Sequence, residues 1–181
     1  MRRLSAALLL AALLLTACSR APQLHQREAF VFGTRVEVSV WGESADKAAQ
    51  ALAAVLAEFD RLHRLLHAWQ PSELTTLNDA IARGEGNIAV SAELTFLLKD
   101  AADIAARSDQ LFNPAIGRLV ALWGFHSDEF RPQLPDMAAV EAVAKARPSM
   151  SDLTITDNSV SSRNRAVQLD LGGYAKGDAL D

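Results

Sequence analysis

The stretch Val167-Gln168-Leu169-Asp170-Leu171-Gly172-Gly173-Tyr174-Ala175-Lys176-Gly177-Asp178-Ala179-Leu180-Asp181 decides how the rest of this sequence is read. Val167, Leu169 and Leu171 alternate with polar residues, the period-two pattern of a strand with one buried face. The strand leads into a Gly-Gly turn, and Tyr174-Ala175-Lys176 opens a helix. A turn without side chains at a helix start exposes backbone N–H groups, a place that phosphates commonly use. Asp170 stands at the strand end, and Lys176 lies about one turn into the helix. The pattern stops at Asp181 inside a helical run with no Gly, Pro or polar tail, as expected of a fragment of a longer protein.

Working outward, residues 29–41 read as a strand in which Val36, Val38 and Val40 alternate with Arg35, Glu37 and Ser39. The glycine in Phe32-Gly33-Thr34 marks a bulge or a close ligand approach. Ser44 caps a long helix reaching about His67, with Ala48, Leu52, Val55, Phe59, Leu62 and Leu66 on one face. A second helix follows Ser91 and carries Leu94, Leu97, Leu98, Ala101 and Ile104. A third covers residues 115–122, and a fourth follows Asp136 with Val140 and Val143 inward. Leu153-Thr154-Ile155-Thr156 and Ser159-Val160-Ser161 form a hairpin about Asp157-Asn158. Strands at both ends of a helical block predict an α+β fold, with the helices flanked by strands of a mixed, incomplete sheet.

At the N-terminus, Arg2 and Arg3 precede an apolar run from Leu8 to Leu15, followed by Thr16-Ala17-Cys18. This is a signal-peptide layout, with an apolar region too short to span a bilayer. Leu15-Thr16-Ala17-Cys18 is similar to a bacterial lipobox, which implies a lipid on Cys18 after removal of residues 1–17. The competing reading is an ordinary signal peptide whose apolar run ends near a cysteine. Cys18 is the single cysteine of the chain, so lipidation leaves no thiol for a disulfide, a metal or nucleophilic catalysis. The domain limits are then 1–17 for the signal, 18–28 for a lipidated tether and 29–181 for the folded part. A membrane-anchored lipoprotein facing the periplasm is expected, and resemblance to lipoprotein sorting rules implies that Ser19 does not signal retention in the inner membrane.

Half of the residues are hydrophobic and 22% are charged, ordinary values for a globular domain. The net charge is −4 and becomes two units more negative without Arg2 and Arg3, which gives no electrostatic reason to expect nucleic acid.

Several side chains could carry chemistry. His63 and His67 lie at i and i+4, the spacing of a paired metal site, with no acid between them and no evident third ligand. His126 reads as a loop residue. In Asp109-Gln110-Leu111-Phe112-Asn113-Pro114-Ala115-Ile116-Gly117, Asn113 reads as an N-cap and Pro114 as the first helical residue. Leu111 and Phe112 just before them are core residues or the wall of a pocket for an aromatic ring. Trp69-Gln70-Pro71-Ser72-Glu73-Leu74 places a further aromatic ahead of a capped turn.

Together these pieces resemble one family, the FAD:protein FMN transferases of the ApbE type. The resemblance runs through Phe32-Gly33-Thr34, Leu66-His67-Ala68-Trp69 with Ser72-Glu73-Leu74, the stretch from Leu111 through Leu122-Trp123-Gly124-Phe125, and Leu169-Asp170-Leu171-Gly172-Gly173-Tyr174-Ala175-Lys176-Gly177. It covers nearly all of residues 29–181, but only the N-terminal half or so of a full member. It implies an ApbE-like fold truncated before its C-terminal half. Flavin contacts are implied at Phe32, Trp69, Leu111, Phe112, Asn113, Asp170 and Lys176, and a magnesium contact at Gly173 through its carbonyl. Phe32 stands where Met is usual, Trp69 where Tyr is usual and Asn113 where Asp is frequent.

The implied activity moves the FMN half of FAD onto a Ser or Thr hydroxyl of a partner protein, with Mg²⁺, and releases AMP. The implied partner is a flavin-accepting membrane or periplasmic protein. The catalytic groups and remaining metal ligands are expected in the other half of such an enzyme, so this chain alone is expected to be inactive. An FAD pyrophosphatase and a non-catalytic flavin-binding lipoprotein are the competing readings.

Overall fold

The computed structural model describes residues 21–127, 129 and 134–180. The apolar N-terminal run, the lipobox and Cys18 therefore lie outside the described residues. The described chain forms two units, one of residues up to Ala29 with Val36–Leu56, the other of Phe30–Arg35 with the chain from Ala57 onward.

Two strands, β1 (Leu24–Val31) and β2 (Thr34–Trp41), pair as a hairpin, and α1 (Ala45–Leu65) follows. The single strand expected over residues 29–41 is thus two, and β1 begins inside the stretch read as tether. In the first unit, Gln26 Nε2 donates across the hairpin to Glu37 Oε1 at 2.8 Å and to Ser39 Oγ at 3.1 Å. Ala48 and Leu52 are its buried helical residues.

The second unit contains the hairpin turn, where Phe32 has φ 53° and Gly33 φ 67°. Two positive φ values are what a two-residue turn needs to match the right-handed twist of its strands. Gly33 is therefore a turn residue and not a bulge. Phe32 is strained there by roughly 1–2 kcal/mol relative to glycine. On α1, Phe59 and Leu62 are buried, as the helical spacing predicts. The helix ends at Leu65, two residues before the expected end.

Next comes α2 (Glu73–Arg83), a full helix where only a capped turn was expected. Ser72 Oγ accepts from Thr75 N while Thr75 Oγ1 accepts from Ser72 N, closing a capping box, and Gly84 ends the helix in the left-handed conformation. Leu74, Leu77 and Ile81 turn inward at i, i+3 and i+7. The strand β3 (Ile88–Ala89) then leads to α3 (Ala92–Arg107). Ser91 caps α3 through Leu94 N at 3.1 Å. Glu73 joins the starts of the two helices, because Ser91 Oγ donates to its Oε2 at 2.8 Å.

The remaining helices are α4 (Gly117–Leu122), α5 (Met137–Ala146) and α6 (Gly172–Asp178). Before β4 (Leu153–Ile155) runs a single 3-10 turn, Met150–Asp152; β5 (Ser159–Ser162) completes an antiparallel sheet in the order β3-β5-β4. Among the described residues no helix is long and apolar enough to cross a membrane.

The core of this unit gathers Leu74, Leu77 and Ile81 of α2, Leu94, Leu98 and Ala101 of α3, Val160 of β5, and Val167, Leu169 and Leu171. Each fully buried leucine contributes about 2 kcal/mol of apolar burial. The buried alternation at 167, 169 and 171 is as expected, but the segment is not a sheet strand. It makes one isolated parallel bridge, Ile116↔Gln168; Gln168 and Asp170 bond to the backbone of residues 114–117, and Leu169 bonds to the Asn78 side chain. The Gly-Gly turn is likewise corrected: Gly172 and Gly173 are the first residues of α6. The α+β fold, a helical block with small sheets, stands.

Candidate functional site

The hairpin turn, the end of α1 and the extended segment before α6 meet in a small notch. Phe32, His63, His67, Trp69, Asp170 and Gly172 line it, with Gly33, Leu66, Ala68 and Ala175. Three of the residues expected to contact flavin, Phe32, Trp69 and Asp170, are thus brought together from distant parts of the chain.

Local bonds fix each of them. His63 Nδ1 accepts the Phe32 N–H at 3.2 Å, and the two rings meet edge-on with centroids 5.8 Å apart. The Phe32 ring also lies 6.3 Å from that of Phe59. His67, buried at the end of α1, accepts from Gln70 N at 3.1 Å and from Trp69 N at 3.4 Å, both through Nδ1. An accepting Nδ1 carries no proton, so neutral His63 and His67 bear their hydrogen on Nε2. Their i, i+4 spacing therefore serves the backbone of the site, and among the described residues no third His, Cys, Asp or Glu joins them at metal-binding spacing. The rings form a run: His63 to His67 at 4.9 Å, His67 to Trp69 at 4.6 Å, and Trp69 to His126 at 5.2 Å.

Asp170 closes the run. Its Oδ2 lies 2.9 Å from His126 Nε2, and its Oδ1 accepts the Gly172 N–H at 2.8 Å. Burial pushes its carboxyl up, but the His126 and Gly172 hydrogen bonds and the nearby charges of His126 and Lys176 outweigh burial and hold it below the ordinary carboxylate value. Lys176 is exposed, with Nζ 3.3 Å from Gly172 O.

The other expected positions lie elsewhere. Phe112 and Gly173 line a cavity of about 400 Å³ with Asp100, Ile104, Tyr174, Gly177 and Asp178. Leu111 is 91% exposed. Asn113 is not the N-cap of α4, which begins at Gly117. Its Oδ1 accepts from Ala115 N at 3.1 Å within the preceding turn, and its Nδ2 donates to Pro148 O at 2.9 Å. Beyond Trp69 opens a polar cleft of about 450 Å³, lined by Gln70, Thr75, Thr76, Asp79, His126 and Gln168 among others. His126, read from sequence as a loop residue, is the site residue that sequence reasoning missed. Its partner Asp170 is far away along the chain, and no local pattern marks the pair.

Among the described residues no three His, Cys, Asp or Glu side chains gather at metal-binding spacing. Gly173 offers one carbonyl, and Mg²⁺ requires near-octahedral oxygen ligation. The described residues do not make a magnesium site by themselves.

The "ApbE family" model matches residues 32–181, which include every residue of the notch. A Rhodobacter capsulatus protein named FAD:protein FMN transferase is 46% identical over 152 residues, covering 84% of this chain and 29% of that protein. A Salmonella typhimurium protein of the same name is 30% identical, covering 82% of this chain and 44% of its own length. The chain thus spans less than half the length of these relatives. In structure it is similar to the ApbE protein of Thermotoga maritima, with a TM-score of 0.76 and 27% identity, covering 88% of this chain and 50% of that one. The fold is also that of the flavin transferase ApbE of Vibrio cholerae, at a TM-score of 0.72 and 22% identity, covering 89% of this chain and 52% of that one. With its sequence and its fold both pointing to one group, this chain belongs to the ApbE family.

Proposed function

We propose that the whole protein transfers the FMN half of FAD to a Ser or Thr hydroxyl of a partner protein and releases AMP. The observation that carries this reading is the meeting of Phe32, Trp69 and Asp170 in one notch, with Lys176 one turn along α6. In the transfer, the acceptor oxygen bonds to the phosphorus of the FMN moiety while the pyrophosphate P–O bond to AMP breaks. The hydroxyl proton leaves to a base or to water. Trp69 and Phe32 offer aromatic surface to a flat ring, an interaction that favours offset or edge-on contact. Lys176 supplies positive charge toward phosphate oxygens, and Asp170 accepts a hydrogen bond from the dinucleotide. Mg²⁺ belongs to this proposal as a counter-ion for the pyrophosphate, with Gly173 offering a carbonyl.

Location is part of the proposal. The apolar run ending in Leu15-Thr16-Ala17-Cys18 supports a lipid-anchored protein facing the periplasm, where it would meet a flavin-accepting membrane or periplasmic partner.

The test incubates the whole protein with FAD and Mg²⁺, with and without a Ser/Thr acceptor protein, and measures AMP. AMP release that depends on the acceptor supports transfer. Release of AMP and free FMN without it identifies a pyrophosphatase, and FAD binding with no AMP identifies a binding protein.

A further inference from the structure

His126 joins the two sides of Trp69. Its ring stacks on the indole with centroids 5.2 Å apart and planes 25° from parallel, on the side of the polar cleft. Its Nε2 reaches 2.9 Å to Asp170 Oδ2, on the side of the notch. The His126 side chain is 9% exposed, whereas Trp69 is 38% exposed. The backbone holds this bridge at both ends of α4. At its start, Gly117 N donates to Gln168 O at 2.7 Å, tying the helix to the segment that carries Asp170. At its end, Gly124 turns the chain at φ 83°, with Gly124 N donating to Ala121 O at 2.9 Å and Phe125 N to Val120 O at 3.1 Å. His126 follows that turn.

We propose that His126 is a positioning residue that sets the indole of Trp69 and the carboxylate of Asp170 as one unit. Trp69 rests on His126, His126 is held by Asp170, and the second Asp170 oxygen is held by the Gly172 N–H. The Nε2 hydrogen of His126 is present in both the neutral imidazole that donates it and the imidazolium, so the bond to Asp170 survives either charge state. An indole and a carboxylate ordered before binding lose less freedom when a ring and its polar edge arrive. The ligand served is the flavin dinucleotide, so this inference rests on the flavin reading of the site. The coupling itself exists without any ligand.

The test has two arms on the whole protein. In the flavin-free arm, Trp69 emission is obtained by subtracting the spectrum of a Trp69→Phe variant. Four proteins are compared: the parent, His126→Ala, Asp170→Ala and the double variant. Asp170 reaches Trp69 through His126, so Asp170→Ala changes Trp69 emission in the same direction as His126→Ala, and the double variant equals His126→Ala. Parental Trp69 emission in Asp170→Ala overturns the coupling. In the second arm, FAD affinity is titrated. His126→Ala weakens binding about tenfold, while His126→Gln, which keeps a donor, and His126→Phe, which keeps the stack, each recover part of the loss. These two milder variants keep the test open if His126→Ala fails to fold. Parental or tighter FAD affinity in all three overturns the proposal. A parent that binds no FAD defeats the flavin reading, and the emission arm still decides the coupling.

Discussion

The side chain of Asn78 makes both backbone hydrogen bonds of Leu169. Its Nδ2 donates to Leu169 O at 2.9 Å, and Leu169 N donates to its Oδ1 at 2.7 Å. Both residues are buried, so the amide stands in for a neighbouring strand and holds residues 167–170 extended without a sheet. This is how Asp170 is carried to the notch. Asn78→Leu leaves a buried donor and a buried acceptor unpaired and should lower unfolding stability by roughly 3 kcal/mol. Asn78→Asp keeps the acceptor for Leu169 N but turns a carboxylate oxygen onto Leu169 O, itself an acceptor, and should also be less stable than the parent. Denaturant unfolding measures both, and equal stability of the leucine variant and the parent would contradict this role.

Gly117 is required by close approach. A Cβ there would stand 2.7 Å from Gln168 O and 3.2 Å from the Asp170 Cβ. Backbone cannot yield as a flexible side chain would, so Gly117→Ala should push residues 168–170 away from α4. The expected cost is about 1–3 kcal/mol in unfolding, together with weaker FAD binding by the whole protein. A crystal structure of the variant with Asp170 unmoved would count against this reading.

The pH dependence follows from two carboxylates. Asp170 is held low as described. For Asp152, burial raises the carboxyl, but the bonds from Arg163, Asn164 and the Ser149 N–H, with the Arg163 charge, bring it below the ordinary value of 3.8. A depressed carboxylate contributes stability above its unfolded value, and that stability is lost as pH falls through the folded value. Thermal unfolding followed from neutral pH downward should therefore show these contributions intact to about pH 4 and declining below it. Asp152→Asn and Asp170→Asn should each flatten the acid decline; unchanged curves in both would contradict the assignment.

Location has its own test. Cys18→Ser should release the whole protein from the membrane fraction, because the proposed lipid anchor is carried on that residue. Membrane association equal to the parent's would remove the lipid anchor from the account.

Much of the fold was legible because single elements carry their own signals. Ser91 with the leucines of α3, Asp136 before α5 and the hairpin at Asp157-Asn158 each announce themselves within a few residues. α2 was hidden because Thr75, Thr76, Asn78 and Asp79 are poor helix formers, and its stability comes from the Ser72 capping box and from Leu74, Leu77 and Ile81 in the core. The alternation at Val167, Leu169 and Leu171 correctly marks a buried face, but a side chain cannot reveal that its backbone partners are Asn78 and a loop. The site was legible where aromatic and acidic residues fall in motifs, as at Trp69 and Asp170. It was illegible at His126 and at the tautomer-fixing bonds of His63 and His67, which depend on contacts between distant segments.

The most direct measurement is the mass of a Ser/Thr acceptor protein after incubation with the whole protein, FAD and Mg²⁺. The expected result is an acceptor heavier by one FMN phosphoester on a Ser or Thr, with labelling strongly reduced in Trp69→Ala and in Lys176→Ala. An unmodified acceptor, in the presence of a whole protein shown to bind FAD, would contradict flavin transfer.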